Sequence, residues 1–224
     1  MYVYLTNLIT EGMPSWPDAP GLIRKQTLSI EKGDVANTWC FEFYNHTGTH
    51  MDSTHHYLAD GVDITSLPAS YFVYEKPYVM DCPKQPCEKI TAEDLIAHAE
   101  EVKNCDLLLF RTDFHKKYRA TEPDTYIMRG PAIGSDAARW LVENCPNMRA
   151  VSCDFLSMAS VSDQEDGNET HRILFRGKDS HFILGIEDVD MRPTYNKTVK
   201  KVFGLPWLIA GIDSTPVTIV AEVE

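Results

Sequence analysis

The segment 46–56, His-Thr-Gly-Thr-His-Met-Asp-Ser-Thr-His-His, constrains this chain most, because it holds four of the eight histidines and one aspartate. Imidazole nitrogens and carboxylate oxygens are ligands for Zn²⁺, Mn²⁺ and Fe(II). Residues two apart on a strand point to one face, so His50 and Asp52 converge if the segment is extended. Gly48 allows a tight bend that brings His46 to the same point. We predict a metal site where a strand runs into a loop.

The adjacent histidines His55 and His56 cannot both face this site if the strand continues through them. His56 lies four residues after Asp52 and therefore on the same side of the strand. We predict that His56 belongs to the site and that His55 does not.

The same segment resembles the signature of the metal-dependent cyclase/hydrolase family that includes bacterial kynurenine formamidase and isatin hydrolase, His-x-Gly-Thr-His-x-Asp-x-x-x-His, and every fixed position is present. Further segments resemble the family along most of the chain: 5–6, 11–14, 16–20, 107–112, 130–131, 136–141, 151–154 and 170–174. The resemblance implies an α/β fold, a swivelling β/β/α barrel that forms a single strand-rich domain over residues 1–224, with two main helices.

For the site, the resemblance implies that His46, His50 and Asp52 bind one divalent ion, Zn²⁺ or Mn²⁺. It implies that Asp52 bridges to a second ion held by His171. It also implies that His56 is the catalytic acid and base.

The sequence departs from the family at one further ligand. Dinuclear members use a glutamate about a dozen residues after the histidine that matches His171, and the residue aligned with it here is Gly185. Glu187, two positions later, reaches the site only after a local shift. Whether one or two ions bind therefore stays open at this point.

Short β-branched and aromatic runs predict strands at 21–29, 36–44, 71–80, 105–110, 150–153, 182–186 and 217–223. Apolar residues at helical spacing, preceded by residues that favour a helix N-terminus, predict helices at 91–103 and 135–144. The acidic run 162–169 lacks the spacing of a calcium loop and is interpreted as a solvated loop. No repeat or low-complexity tract divides the chain, so we expect one domain.

The composition limits which binding partners are expected. The net charge of -12 argues against nucleic acid and anionic membranes as partners, because both select basic surfaces.

The sequence shows no signal peptide and no apolar run of about 18 residues, so we expect a cytoplasmic protein. Its six cysteines lack metal-site spacing and are expected to be thiols, and Cys82 and Cys87 are interpreted as incidental residues of a turn.

Several other residues have two interpretations. Trp16, in a proline-rich loop, either contacts the substrate, within its own chain or across a dimer interface, or lies only at the surface. The run 111–113 binds a ligand at a strand end or forms a structural ion pair. Asp154 and Ser157 orient a metal-ligating histidine or cap a turn. Three aromatic residues line a pocket or lie in the core: Tyr57, Phe72 and Tyr74.

These patterns predict a metal-dependent hydrolase. A bound metal ion lowers the pKa of water and so provides hydroxide, and the sequence has no Gly-x-Ser-x-Gly nucleophile motif. The resemblance favours cleavage of a C–N bond in a small aryl amide or formamide, as in kynurenine formamidase. One alternative is a mononuclear hydrolase of a cyclic amide or lactone, similar to isatin hydrolase. Another is a metal-binding protein without turnover. The expected partners are a small-molecule substrate and, by resemblance, a second copy in a homodimer.

Overall fold

The computed structural model describes residues 1–224 and contains thirteen β-strands and six α-helices. The strands are β1 Tyr2–Tyr4, β2 Ile23–Leu28, β3 Thr38–Glu42, β4 His50–Asp52, β5 Val73–Tyr74, β6 Pro77–Asp81, β7 Lys89–Ile90, β8 Leu107–Arg111, β9 Ala132–Ile133, β10 Ala150–Cys153, β11 Leu184–Glu187, β12 Val199–Pro206 and β13 Ser214–Val223. The helices are α1 Ala92–Ile96, α2 Ala99–Asn104, α3 Phe114–Tyr118, α4 Pro123–Met128, α5 Ser135–Asn144 and α6 Gln164–Arg176.

Nine strands form one mixed sheet that is nearly closed into a barrel. The order is β5-β12-β13-β4-β11-β10-β8-β6, with β1 paired to β13. Strands β6, β8, β10 and β11 are parallel, whereas β4 is antiparallel to both β11 and β13. The end strands β5 and β6 are consecutive in the chain, and β12 packs close to β6. The predicted fold class is confirmed.

Strand β8 shows how the sequence builds two cores from one sheet. Leu107 and Leu109 point into the barrel core, while Leu108 and Phe110 point to the core between sheet and helices. This division follows from the two-residue alternation of a strand. An apolar residue at every position therefore suits a strand that is covered on both faces.

Six α-helices are present, and the two longest are α5 with 10 residues and α6 with 13. The predicted helix at 91–103 is divided into α1 and α2, and it begins with a capping box between Thr91 and Asp94. Helix α5 lies where it was predicted.

The acidic run 162–169 is not a solvated loop, since α6, the longest helix, begins inside it. The Asp163 side chain accepts a hydrogen bond from the Asp166 backbone nitrogen and caps this helix. The buried side of α6 is formed by Gly167, Thr170, His171, Leu174 and Phe175. This spacing of three and four residues places all of them on one helix face.

Strand prediction failed at several places. The run 71–80 is broken into β5 and β6, and the strands β1, β7, β9 and β12 were not predicted. In β12 the pairing with β13 shifts register between Val199 and Lys201. Such a bulge disrupts the two-residue alternation by which a strand is recognised in sequence.

The β2–β3 hairpin lies outside the main sheet and pairs only with itself. Every residue of β3 is exposed, including Trp39 and Phe41, which are 51% and 56% exposed. None of the helices combines the length and apolar sequence needed to cross a lipid bilayer.

Candidate metal centre

Strand β4 supplies two buried side chains to the centre. His50 pairs with Glu187 of β11 and Pro216 of β13, and Asp52 occupies the next position on the same face. Between them, Met51 points into the barrel core. His50 is 3% and Asp52 0% exposed, because strands flank β4 on both sides.

Gly48 shapes the approach to β4. It has a φ of +64°, and a Cβ there would lie 2.9 Å from the Met13 Cε atom. Its carbonyl accepts a hydrogen bond of 2.8 Å from His50 Nδ1, which turns His50 Nε2 toward the centre. The bend also brings His46 Nδ1 to 3.1 Å from Asp52 Oδ1.

The two adjacent histidines point in different directions, although not because a strand continues. Strand β4 ends at Asp52, and a 3-10 turn covers Thr54–His56. His56 lines the pocket above the centre, whereas His55 is directed to Asp63, with Nδ1 3.2 Å from Oδ1.

Helix α6 supplies His171. Its Nδ1 donates to the Gly167 carbonyl over 2.7 Å, one helical turn earlier. Its Nε2 then lies 3.4 Å from Glu187 Oε1 and 4.0 Å from Asp52 Oδ2. The side chain is 3% exposed, so burial and one backbone bond fix the ring.

The structure corrects the expectation that Gly185 stands where an acidic ligand is needed. Glu187 points into the centre, with Oε2 3.2 Å from His50 Nε2. Its Oε1 accepts hydrogen bonds from Ser157 Oγ at 2.9 Å and the Met158 backbone nitrogen at 2.7 Å. A Cβ on Gly185 would lie 2.3 Å from Met158 Cε, so a side chain there requires the Met158 side chain to shift.

The polar atoms of the centre fit a divalent cation. His50 Nε2 and both Asp52 carboxylate oxygens are buried without a hydrogen-bond partner. Burial tends to raise the pKa of Asp52, but His46 and His50 lower it below its ordinary value. Burial and the charge of Asp52 likewise tend to raise the pKa of Glu187, which His171 and His50 lower to about 2.

Two adjacent buried carboxylates need a compensating positive charge. Two groups of three side chains have ligand atoms within 4.8 Å of one another, and both contain Asp52. One is His46, Asp52 and His56, and the other is His50, Asp52 and Glu187. The donors therefore suit cation binding on both sides of Asp52.

Asp213 was missed in the sequence although it contacts two of the predicted residues. Its Oδ2 lies 2.9 Å from His46 Nε2 and accepts a hydrogen bond of 2.7 Å from His56 Nδ1. Asn45 Nδ2 donates to Oδ1 over 2.8 Å. The bonds from His46 and His56 hold the pKa of Asp213 well below its usual range. The only local signal was an acidic residue directly before the last strand.

The Cyclase family model, described as "Putative cyclase", matches residues 3–160, well over half of the chain. This chain belongs to the Cyclase family. The predicted family resemblance is thereby confirmed.

Individual proteins are similar to this Cyclase-family chain to different extents. An uncharacterized protein of Haemophilus influenzae is 37% identical over 50% of this chain and 78% of its own length. Kynurenine formamidase of Erythrobacter litoralis is 24% identical over 48% of this chain and 47% of its own length. Isatin hydrolase A of Labrenzia aggregata, solved bound to benzyl benzoate, has a TM-score of 0.82 at 19% identity. That alignment covers 99% of this chain and 93% of the hydrolase, and it shows a shared fold.

In this Cyclase-family chain a pocket opens above the centre. Its aromatic lining includes Trp16, Tyr44 and Tyr57, so Trp16 faces the pocket of its own chain. Tyr57 stacks on His171 with ring centroids 4.7 Å apart. The other two aromatic candidates, Phe72 and Tyr74, lie in the barrel core.

The remaining candidates have structural contacts. Arg111 forms a bidentate ion pair with Asp81 and donates to the Thr194 carbonyl, so 111–113 contains a structural ion pair. Asp154 accepts hydrogen bonds from the backbone nitrogen and hydroxyl of Thr112. Ser157 orients Glu187 and contacts no histidine of the centre.

Proposed function

We propose that this Cyclase-family protein is a metal-dependent hydrolase that cleaves a C–N bond in a small aryl amide or formamide. One observation carries the proposal: metal-ligating donors converge beside a histidine that a carboxylate orients toward the same pocket. The similarity to a kynurenine formamidase supports this reaction class.

The residues that would hold a cation are His46, His50, Asp52, His171 and Glu187. When bound, a divalent cation such as Zn²⁺ or Mn²⁺ supplies Lewis acidity and lowers the pKa of a coordinated water. Because Glu187 is present in the centre, the donor set supports two ions per chain as well as one.

His56 is proposed as the acid and base of the reaction. Its Nδ1 is engaged by Asp213 over 2.7 Å, so Nε2 remains to accept a proton. It takes this proton from the attacking water as the new C–O bond forms. It then delivers the proton to the leaving nitrogen as the C–N bond breaks, which releases a carboxylic acid and an amine. Histidine suits both transfers because it exchanges protons near neutral pH.

The residues around the pocket support an aryl group on the substrate. Trp16, Tyr44 and Tyr57 provide aromatic faces, and Leu156 adds an aliphatic surface. Aromatic side chains stack favourably on a ring of the ligand.

The test is hydrolysis of formanilide by metal-free protein before and after addition of Zn²⁺ or Mn²⁺, with bound ions counted by elemental analysis. We expect metal-dependent release of formate and aniline. Bound metal without hydrolysis of formanilide or of a cyclic amide would favour a metal-binding protein without turnover. Absence of metal uptake would overturn the proposal altogether.

A second candidate is hydrolysis of a cyclic amide or lactone by a single ion. The shared fold with isatin hydrolase A, at a TM-score of 0.82 over nearly the whole of both chains, favours it. Isatin assayed on the same preparation separates the two candidates. Faster turnover of isatin with one ion per chain would favour the second.

We also propose a cytoplasmic homodimer. The β2–β3 hairpin exposes aromatic residues, and Phe41, Phe43 and Trp207 cluster with ring centroids 5.7 to 6.1 Å apart. Exposed apolar clusters of this kind mark interaction surfaces, which supports the proposed dimer.

The proposed cytoplasmic location is supported by the cysteines. All six are free, which suits a reducing compartment.

A further inference from the structure

Strand β11 is followed by a sharp turn directly after the candidate ligand Glu187. The next residue, Asp188, has a φ of +52°, a left-handed conformation that residues other than glycine adopt uncommonly. Asp188 is also fully buried, at 0% exposed. A residue keeps such a conformation only where its surroundings hold it firmly, and both the side chain and the backbone of Asp188 are held.

The Asp188 carboxylate is held by an arginine and a tyrosine. Arg119 donates from Nε to Oδ1 and from Nη2 to Oδ2, both over 3.0 Å. The Tyr126 hydroxyl donates to Oδ1 over 2.6 Å. A bidentate ion pair of this kind fixes orientation as well as position. Both carboxylate oxygens are therefore engaged away from the centre, so Asp188 anchors the chain and is not itself a candidate metal ligand.

The Asp188 carbonyl faces the residue that precedes His50. It accepts hydrogen bonds from Thr49 Oγ1 and Asn7 Nδ2, each over 2.6 Å. Thr49 Oγ1 in turn accepts a hydrogen bond from the Asn7 backbone nitrogen over 2.9 Å. All three residues are buried, so these bonds are shielded from water.

The bond between Thr49 and Asp188 joins β4 and β11 beside two candidate ligands. The last pair in the ladder of these strands is His50 and Glu187, whose Nε2 and Oε2 atoms lie 3.2 Å apart. In the same register Thr49 would face Asp188 next, but the turn at Asp188 ends the ladder there. The Thr49 hydroxyl therefore provides the next link between the two strands, one residue from each candidate ligand.

We propose that Thr49 and Asp188 are positioning residues that hold His50 and Glu187 at the separation a divalent cation requires. Neither residue contacts the cation. Arg119 fixes Asp188, and the Thr49 hydroxyl ties β4 to this fixed point. The inference rests on the proposed metal-dependent function and adds that its two strands are aligned before a cation binds.

Thr49→Val removes the hydroxyl while keeping the size of the side chain. We expect the affinity for Zn²⁺, measured by competition with a chromophoric chelator, to fall about 10-fold, the lower end of the range for residues that support metal ligands. Thr47→Val is the matched control, because the Thr47 hydroxyl is also buried but has no hydrogen-bond partner. It should keep the wild-type affinity. Thr49→Ser, which retains a hydroxyl, should keep it as well.

Asp188→Asn tests the anchor at the other end of this bond. Asparagine tolerates the left-handed conformation, so the turn can form, but the ion pair with Arg119 that holds the turn in place is lost. We expect the Zn²⁺ affinity to fall about 10-fold here too. Asp106→Asn is the control, because it breaks another arginine ion pair, with Arg149, directly before β8. It should keep the wild-type affinity.

Two further measurements separate positioning from a general loss of stability. Urea unfolding of the metal-free variants shows whether each is folded under the conditions of the affinity assay. The visible absorption of bound Co²⁺ reports the geometry of its ligands, and we expect it to shift in Thr49→Val but not in Thr47→Val. A folded Thr49→Val or Asp188→Asn protein with the wild-type Zn²⁺ affinity would overturn the proposal, however much its stability had changed.

These readouts also distinguish the positioning role from the proposed reaction. The Zn²⁺ affinity and the Co²⁺ absorption need no substrate, so bound metal without hydrolysis of any amide refutes only the reaction. Hydrolysis by a protein whose metal affinity does not depend on Thr49 refutes only the positioning role.

Discussion

Strands β4 and β3 differ in a way that their sequences do not suggest. Strand β3, Thr-Trp-Cys-Phe-Glu, contains strong strand formers, yet all five residues are exposed. Strand β4, His-Met-Asp, contains weak strand formers, yet all three are buried. Position in the sheet decides which strand is buried, because β4 has a partner on each edge whereas β3 pairs only with β2.

Both regions contain side chains that lack partners within the chain. Around β4, buried nitrogen and oxygen atoms lack partners, which favours a cation. Around β3, Trp39 and Phe41 face solvent, which favours another protein surface. Burial and intrinsic strand propensity are therefore separate properties, and each mismatch points to a different kind of ligand.

Loss of Asp52 should have the largest effect, because both groups of donors share this residue. Asp52→Ala is expected to lose at least one ion per chain and to reduce turnover to background. Elemental analysis and the formanilide assay measure both. Asp60→Ala, at an exposed aspartate in the same region, is the control and should keep its metal. Full metal content in Asp52→Ala would show that Asp52 is not a metal ligand.

The pair His55 and His56 provides an internal comparison of adjacent histidines. His56→Ala should lower kcat by about 10²- to 10⁴-fold, the usual contribution of a general acid and base, while retaining metal. His55→Ala should change kcat little, because His55 is directed to Asp63 outside the pocket. Similar kcat values for the two variants would contradict the proposed role of His56.

The buried carboxyl group of Asp154 should make the stability of the protein depend on pH. Burial raises the pKa of Asp154 to about 7, above its ordinary value of 3.8. The folded state therefore binds this proton more tightly, and the associated stability is lost as pH rises toward 7. Relative to Asp154→Asn, the wild type should lose about 3 kcal/mol between pH 5 and pH 8. Urea unfolding at both values measures this, and parallel pH profiles for the two proteins would contradict it.

Asp213→Asn should have a smaller effect on catalysis than loss of His56. Asparagine preserves the shape but removes the charge that orients His56 and contacts His46. We expect kcat/KM to fall about 10- to 100-fold, as is typical when a residue that hydrogen-bonds to a metal ligand is changed. A variant with unchanged kcat/KM would show that Asp213 does not support these histidines.

The smallest effect on the single chain is expected in the hairpin. Phe41→Lys should convert the proposed dimer to a monomer in light scattering, with metal content unchanged. As an exposed substitution, it should alter the stability of the monomer by only about 0.5 kcal/mol. Thr38→Lys adds the same charge on the opposite strand face and serves as the control. A wild-type protein that is monomeric would refute the homodimer.

The sequence predicted the parts of the site that are close together in the chain. His46, His50, Asp52 and His56 lie within one short segment, where strand alternation and a glycine suggest convergence. His171 was identified only through the family resemblance. Its helix was missed because its buried face contains Gly167 and Thr170, which do not form an obvious apolar stripe.

The remaining groups depend on long-range pairing that sequence periodicity does not encode. Gly185 and Glu187 share one face of β11, and the register of β11 against β4 sets which residue of β4 each one meets, so spacing alone could not identify Glu187 as the acidic residue of the centre. Asp213 is 167 residues from His46 and shares no local pattern with it. The strand-rich character was predictable because strands such as β8 carry clear apolar runs, whereas the bulged β12 does not, and the barrel itself was predicted only through the family resemblance.

The pairing of β4 with β11 and β13 has a consequence for synthesis of the protein. The segment that carries four of the eight histidines is synthesised before the strands that pair with its two edges, β11 and β13. The centre is thus assembled only after β13 has been synthesised. A nascent chain that has not reached β13 exposes these histidines without their final neighbours, so the proposed metal binding belongs to the period after β4 has paired with both strands.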